Sequence, residues 1–167
     1  MSRSGYSDDG DGGWALICYR GAVNAAIKGH RGQMFLIELL AVLDAMPEKV
    51  LVAGDLEADG QFCALGVAGK ARGCNLASID TYDHAALSNT FNIAESLARE
   101  IMWINDEAVG EYRWDRVGVF GPLQPWEDRH PYVRVSNEDA GVRRWQCVRD
   151  WVASHIAAKA PKGEQHG

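Results

Sequence analysis

No run of about 18 apolar residues occurs in the 167-residue chain, so a transmembrane helix is not among the readings. Positive charge is in deficit: 17 Lys and Arg stand against 23 Asp and Glu, for a net charge of −6. A domain that works by neutralising phosphates usually carries the opposite balance. Acidity here reads first as solubility and second as a preference for basic partners. Cys18, Cys63, Cys74 and Cys147 include no C-x-x-C pair, and His30, His84, His130, His155 and His166 include no H-x-x-x-H pair. Structural zinc sites normally use such short spacings. The four cysteines are therefore expected to be core or half-buried thiols, and no metal or cofactor is expected.

Catalytic signatures are also missing. There is no G-x-S-x-G elbow, and Ser88 and Ser96 lie in expected helices without a local partner. The run Gly66-Val67-Ala68-Gly69-Lys70 departs from a phosphate loop at both ends: Ala64 stands where a glycine is needed, and Ala71 where the magnesium-binding hydroxyl should be. The glycines then read as packing and turn residues. The adjacent acids Asp55/Glu57, Asp106/Glu107 and Glu127/Asp128 read as solvated turns, because a tuned acid–base pair needs burial to separate its pKa values. There is no internal repeat and no sustained heptad pattern.

What is present suits one domain. Hydrophobic residues make up 47% of the chain, enough for a real core at this length. The expected class is α+β, predominantly helical: about five helices round an apolar second helix, with short β-hairpins. Residues 1–13 read as a flexible acidic tail without the apolar core of a signal peptide, so a cytoplasmic location with reduced thiols is expected. Residues 14–160 form the domain, with an aromatic, proline-rich insert at 110–135. Residues 161–167 form a second tail.

The periodicity predicts a first helix over 14–28 carrying Leu16, Tyr19, Val23 and Ile27, with Arg20, Asn24 and Lys28 as a polar stripe. A break at 29–32 leads to a second helix over 33–45. From Met34 to Leu43 only Glu38 is not apolar, which marks this helix as the centre of the fold or as a subunit interface, the first being preferred. A strand is expected at 49–53, an acidic turn at 54–60, a partner strand at 61–65 and a short helix at 66–73. Asp80 is the expected N-cap of a helix over 81–91, with Asn92 in the left-handed position behind it. A helix over 93–107 presents Ile93, Leu97, Ile101 and Ile104. Residues 116–120 and 132–135 are expected to pair as a hairpin, and Ser136 to cap a last helix that buries Trp145, Val148, Val152 and Ile156.

Two surfaces are candidates for binding. The first is basic: Arg20, Lys28, His30 and Arg31 lie in a stretch free of acids between Gly12 and Ile37, suited to phosphates or an acidic partner. A helix-turn-helix reader does not suit this stretch, since its second helix needs polar residues for the groove. Solvated charges or ion pairs are the plainer reading of this stripe. The second surface is the insert, with Tyr112, Arg113, Trp114, Arg116, Trp126, Arg129 and Tyr132, the residue types that dominate interface hot spots. The alternative is that these aromatics fold back as a lid on the helical core. Glu127-Asp128-Arg129-His130 is the best enzymatic candidate, because a carboxylate beside a histidine can orient it and raise its pKa. An exposed polar loop is the simpler reading of the same residues.

Several segments taken together resemble a family of uncharacterised small proteins encoded by bacteriophages and prophages. They are Ser4-Gly5-Tyr6-Ser7-Asp8-Asp9, Trp14-Ala15-Leu16-Ile17, Tyr19-Arg20-Gly21-Ala22-Val23, Gly29-His30-Arg31-Gly32-Gln33, Leu43-Asp44-Ala45-Met46-Pro47-Glu48-Lys49, Cys63-Ala64-Leu65-Gly66 and Arg72-Gly73. The resemblance covers roughly the first 107 residues and the last helix. It implies no activity and no catalytic residue. It makes 110–135 a departure, and so a specificity element of this chain. The resulting expectation is a non-enzymatic phage accessory protein that binds a host protein or complex, as an inhibitor of a defence system for example. A nucleic-acid or nucleotide binder using 20–31, and an enzyme with a site near His130, stand as alternatives.

Overall fold

The computed structural model describes residues 13–157. The tails expected at 1–13 and 161–167 lie outside the described residues, apart from Gly13. The fold is α+β and predominantly helical, with six helices and two separate two-stranded antiparallel sheets among the described residues.

Helix α1, Gly13–Lys28, and helix α2, His30–Ala45, are separated by Gly29 alone. The break expected at 29–32 shrinks because Gly29 by itself turns the chain, with extended φ −67° and ψ 151°. His30 and Arg31 thus belong to the first turn of α2. Such a tight connection drives Gly32 onto the backbone carbonyl of Ala26, where a Cβ would collide. Gln33 secures the corner. Its Nε2 donates to Ile27 O at 2.8 Å and to His155 O at 2.9 Å, and its Oε1 accepts from Ala157 N at 2.7 Å. Carbonyls left over at two helix ends are satisfied by one side chain.

Helix α2 buries Phe35, Leu36, Leu39 and Leu43. It is not enclosed all round, as its composition suggested: Met34 is 55% exposed and Ile37 49%. It also shares the centre. Helix α2 packs against α1, helix α3 (Ala64–Ala71) and helix α6 (Ala140–His155), while helix α5 (Glu95–Glu107) packs against α1, α3, α6 and helix α4 (His84–Phe91). Glu38, the one polar residue of the run, meets Arg72 in a two-pronged pair at 2.7 and 2.6 Å, and Arg72 also donates to Phe91 O at 3.1 Å. The Arg72 hydrogen bonds hold the Glu38 carboxyl below the usual range.

Residues 49–53 are extended but join no sheet. Leu51 N donates to Gly141 O and Val52 N to Phe62 O, both at 3.1 Å, so this segment lies between the start of α6 and the end of a hairpin rather than beside a strand. That hairpin is β1 (Glu57–Ala58) with β2 (Gln61–Phe62), turned by Asp59 and Gly60 at φ 51° and 78°. Positive φ at both central residues fits the two-residue turn that matches strand twist. The return strand expected at 61–65 stops at Phe62, because Cys63 instead caps α3, its Sγ accepting from Gly66 N at 3.3 Å. Helix α3 therefore begins two residues earlier than predicted. Gly66 sits against the Leu56 carbonyl, where no Cβ fits, and Gly69 lies against the side chains of Leu76 and Phe91.

Asp80 does not cap α4. It accepts from Tyr82 N at 2.8 Å and holds a turn, while Asp83 caps the helix by accepting from Ala86 N at 2.9 Å. Asn92 follows in the left-handed conformation, φ 53° and ψ 43°. Ile93 is buried, though it precedes α5. Ser136 is not a cap either: it ends strand β4 (Tyr132–Ser136), and Asp139 at the N-cap makes no side-chain cap bond. Asn137 organises this junction. Its N–H donates to Glu111 O at 2.8 Å, its Nδ2 to Gly110 O at 3.0 Å, and its carbonyl accepts from Ala140 N at 2.9 Å. Val148 and Val152 are fully buried on α6, and Trp145 and Ile156 half-buried. Of the cysteines, Cys63 is buried and Cys74 half-buried, but Cys18 and Cys147 are exposed, contrary to expectation, since each lies on the outer side of its helix.

The close approach of α3 to the 49–58 segment predicts that Gly66→Ala lowers stability by about 1–3 kcal/mol, since backbone must move to admit the methyl group. Thermal or urea unfolding measures this, and a neutral result would show the approach to be looser. A second prediction concerns Glu100 on α5, which faces Tyr19 and Arg20 of α1 and His155 of α6. Burial pushes its carboxyl above the usual range, against the pull of the Tyr19 hydroxyl at 3.5 Å and of the charges on Arg20 and His155. Its folded pKa exceeds its unfolded one, so the associated stability is complete below the unfolded value and is lost as pH rises through the folded value. Glu100→Gln should be the more stable protein at neutral pH, with the difference shrinking in acid. Unfolding curves across that range give the answer.

Candidate interaction surface

Strand β3, Tyr112–Arg116, pairs antiparallel with β4 in the register Tyr112↔Ser136, Arg113↔Val135, Trp114↔Arg134, Asp115↔Val133 and Arg116↔Tyr132. The sequence alternates as strands require, since successive side chains take opposite faces. The hairpin starts four residues before the strand expected at 116–120, because Asn137 staples its base at Gly110 and Glu111. The same register continues outward through Val117 N to Pro131 O at 3.1 Å and Val119 N to Arg129 O at 2.9 Å.

One face carries Tyr112, Trp114, Arg116, His130, Tyr132 and Arg134, with Asp128 at its outer end, 3.9 Å from Arg116. The Arg134 guanidinium lies 3.6 Å from the Tyr112 ring centroid, and that of Arg116 lies 5.1 Å from Tyr132. Cations seated on ring faces gain from the ring quadrupole and stiffen the pair. The opposite face carries Val117, Val119, Val133 and Val135, with Arg113 paired to Asp115 at 2.9 Å. At the tip, Gln124 N donates to Glu127 Oε2 at 2.8 Å and Glu127 N to Gln124 O at 3.0 Å, closing a turn round Pro125 and Trp126. Gly121 adopts φ 110°, which a side chain rarely tolerates.

The aromatics do not fold back as a lid. Trp114 is 66% exposed, Trp126 80% and Phe120 97%, and Tyr112 and Tyr132 are exposed as well. Of the residues predicted for this surface, Tyr112, Trp114, Arg116 and Tyr132 share the aromatic face. Trp126 is at the tip. Arg113 and Arg129 fall on the valine face by the strand alternation. Arg134 was missed. With a strand assumed to start at 116, its cross-strand aromatic partner was out of view; extending the alternation back to Tyr112 would have found it.

Arg20, Lys28, His30 and Arg31 are all exposed, on two helices. Arg20 lies near Glu100, and Arg31 Nη1 donates to Asn92 Oδ1 at 3.4 Å. The enzymatic candidate is not assembled as a pair: Asp128 Oδ1 accepts from the His130 backbone N–H at 3.0 Å rather than from its ring, and Asp128 Oδ2 lies 3.9 Å from Arg116. Among the described residues, no group of three or more His, Cys, Asp and Glu is placed to hold a metal ion, and no helix is long and apolar enough to cross a membrane. Compared with known proteins, the chain matches no family model, no curated protein and no solved structure.

Proposed function

We propose that this chain works by contact rather than by catalysis, using the 112–136 hairpin as an arm that holds a host protein. The observation that supports the reading is the row of large aromatics on a hairpin that the helical body leaves uncovered. A single exposed aromatic needs no explanation, but a contiguous set with arginines among them has the make-up of an interface core. Trp114 and Trp126 are the proposed anchors, with Tyr112, Tyr132, Arg116 and Arg134 around the first. The proposed class of partner is a protein of the bacterial host, in keeping with the resemblance to phage and prophage proteins, with a component of a defence system as the specific proposal.

The purified chain, used as bait in bacterial lysate, should retain one host protein or complex at stoichiometric level. Trp114→Ala with Trp126→Ala should weaken that capture by at least tenfold, about 1.4 kcal/mol or more, while leaving the helical signal of the body intact. Undiminished capture by the double variant would remove the arm from the interaction.

A further inference from the structure

The hydrogen-bond pattern of the arm fixes which of its backbone groups are unused. Val117 N and Val119 N donate across to Pro131 and Arg129, in the chain that leads into β4, and Asn137 N donates to Glu111 O, so the odd-numbered residues of β3 direct their peptide groups toward β4. In an antiparallel ladder the even-numbered ones turn outward. Tyr112, Trp114 and Arg116 therefore present N–H and C=O groups along an open edge. Two strands standing alone are marginal in water, and such an edge invites a further strand.

The side chains along this edge complement one another when the strand is set against its own reverse. Tyr112-Arg113-Trp114-Asp115-Arg116 is chemically self-complementary about its middle residue. Against a second copy running antiparallel, Trp114 faces Trp114, each Tyr112 faces an Arg116, and each Arg113 faces an Asp115. We propose that the β3 edge pairs with the β3 edge of a second copy of this chain, about a twofold axis through Trp114, giving a four-stranded sheet in the order β4-β3-β3-β4.

The register gives about six new N–H···O=C bonds, since opposed residues with outward groups exchange two each. On one face it sets two aromatic–cation pairs beside a tryptophan pair. On the other it sets two opposite-charge pairs between the copies, extending the Arg113–Asp115 contact already present within the strand. Cross-strand pairs of both kinds stabilise a sheet, and like charges directly opposite destabilise it. That contrast selects the edge: β4 paired with itself about its middle residue would set Arg134 against Arg134. The pairing also brings Gly118 of each copy level with Gly110 of the other, where a Cβ on Gly118 would meet nothing within 4 Å in the single chain. The aromatic face stays outward, so two arms would form one continuous platform.

This inference does not depend on which protein the arm holds. Capture from lysate reports on the aromatic face, whereas the size of the purified chain reports on the edge. Sedimentation of the full chain, with reductant present because Cys18 and Cys147 are exposed, should give twice the 18.3 kDa chain mass at about 100 µM, falling to one chain on dilution. Arg113→Asp should weaken association by about tenfold or more by opposing acids across the axis, and adding Asp115→Arg should restore it. Trp114→Pro removes an outward N–H without touching the β3–β4 ladder and should give a monomer, while Arg134→Pro, on the other edge, should leave the dimer intact. Circular dichroism checks that each variant keeps its helices. A wild-type chain that stays monomeric throughout, or a dimer indifferent to both Arg113→Asp and Trp114→Pro, overturns the proposal.

Discussion

The buried guanidinium of Arg144 is the interaction on which the rest of the architecture turns. It lies on α6 with only 4% of its surface exposed, donating to Leu51 O at 2.8 Å and to Val109 O at 3.5 Å. Burial lowers its pKa from the ordinary value, with the charges of Asp106 and Glu111 opposing that shift. A cation is costly to bury, so it persists where it answers carbonyls that nothing else satisfies. Here those carbonyls belong to two irregular segments, one on each side of the helix. Asn105 does comparable work from α5, its Nδ2 donating to Val52 O at 2.8 Å and its Oδ1 accepting from Ala64 N at 3.1 Å. Gly54 N donates to Asp106 at 3.0 Å. Side chains thus take the place that a sheet would fill, and the helical body closes on itself.

Closure of the body explains the state of the arm. Arg144 and Asn137 satisfy the backbone carbonyls of Val109 and Gly110 where the chain leaves the body, while Asn137 Oδ1 and Arg144 Nε stay buried without a partner. The hairpin then stands on its own ladder and its own arginine–ring contacts. On the proposed reading, the net charge of −6 keeps molecules apart in general, and the exposed aromatics and arginines of the hairpin supply local attraction.

Much of the body was legible in the sequence. The helices announced themselves by periodicity, and Asn92 announced its left-handed turn, because these are local signals set by one residue or one helical face. The misreadings share a cause. Asp80 and Ser136 were plausible caps, but Asp83 and Asn137 lay within reach and the choice depended on where neighbouring segments packed. Residues 49–53 had strand composition, yet their hydrogen-bonding partners were a helix start and a hairpin end. The exposure of Met34 and Ile37 was hidden because a nearly unbroken apolar run has no polar face to mark its outer side. For the surface, residue types in 110–135 indicated contact chemistry, but the division into an aromatic and a valine face required the register. That register is fixed by Asn137, whose role no spacing pattern displays.

The account turns on the body being complete without the arm, and the arm's ends make that directly testable. Asn137 N and Glu111 O are 2.8 Å apart, so residues 112–136 can be replaced by a short Gly-Ser link with the base staple left in place. Thermal unfolding of this shortened chain, followed by circular dichroism, is the decisive measurement. A single cooperative transition within a few degrees of the full chain is the predicted result. A broad, non-cooperative loss of helix would contradict it, and would mean that the arm holds the body together.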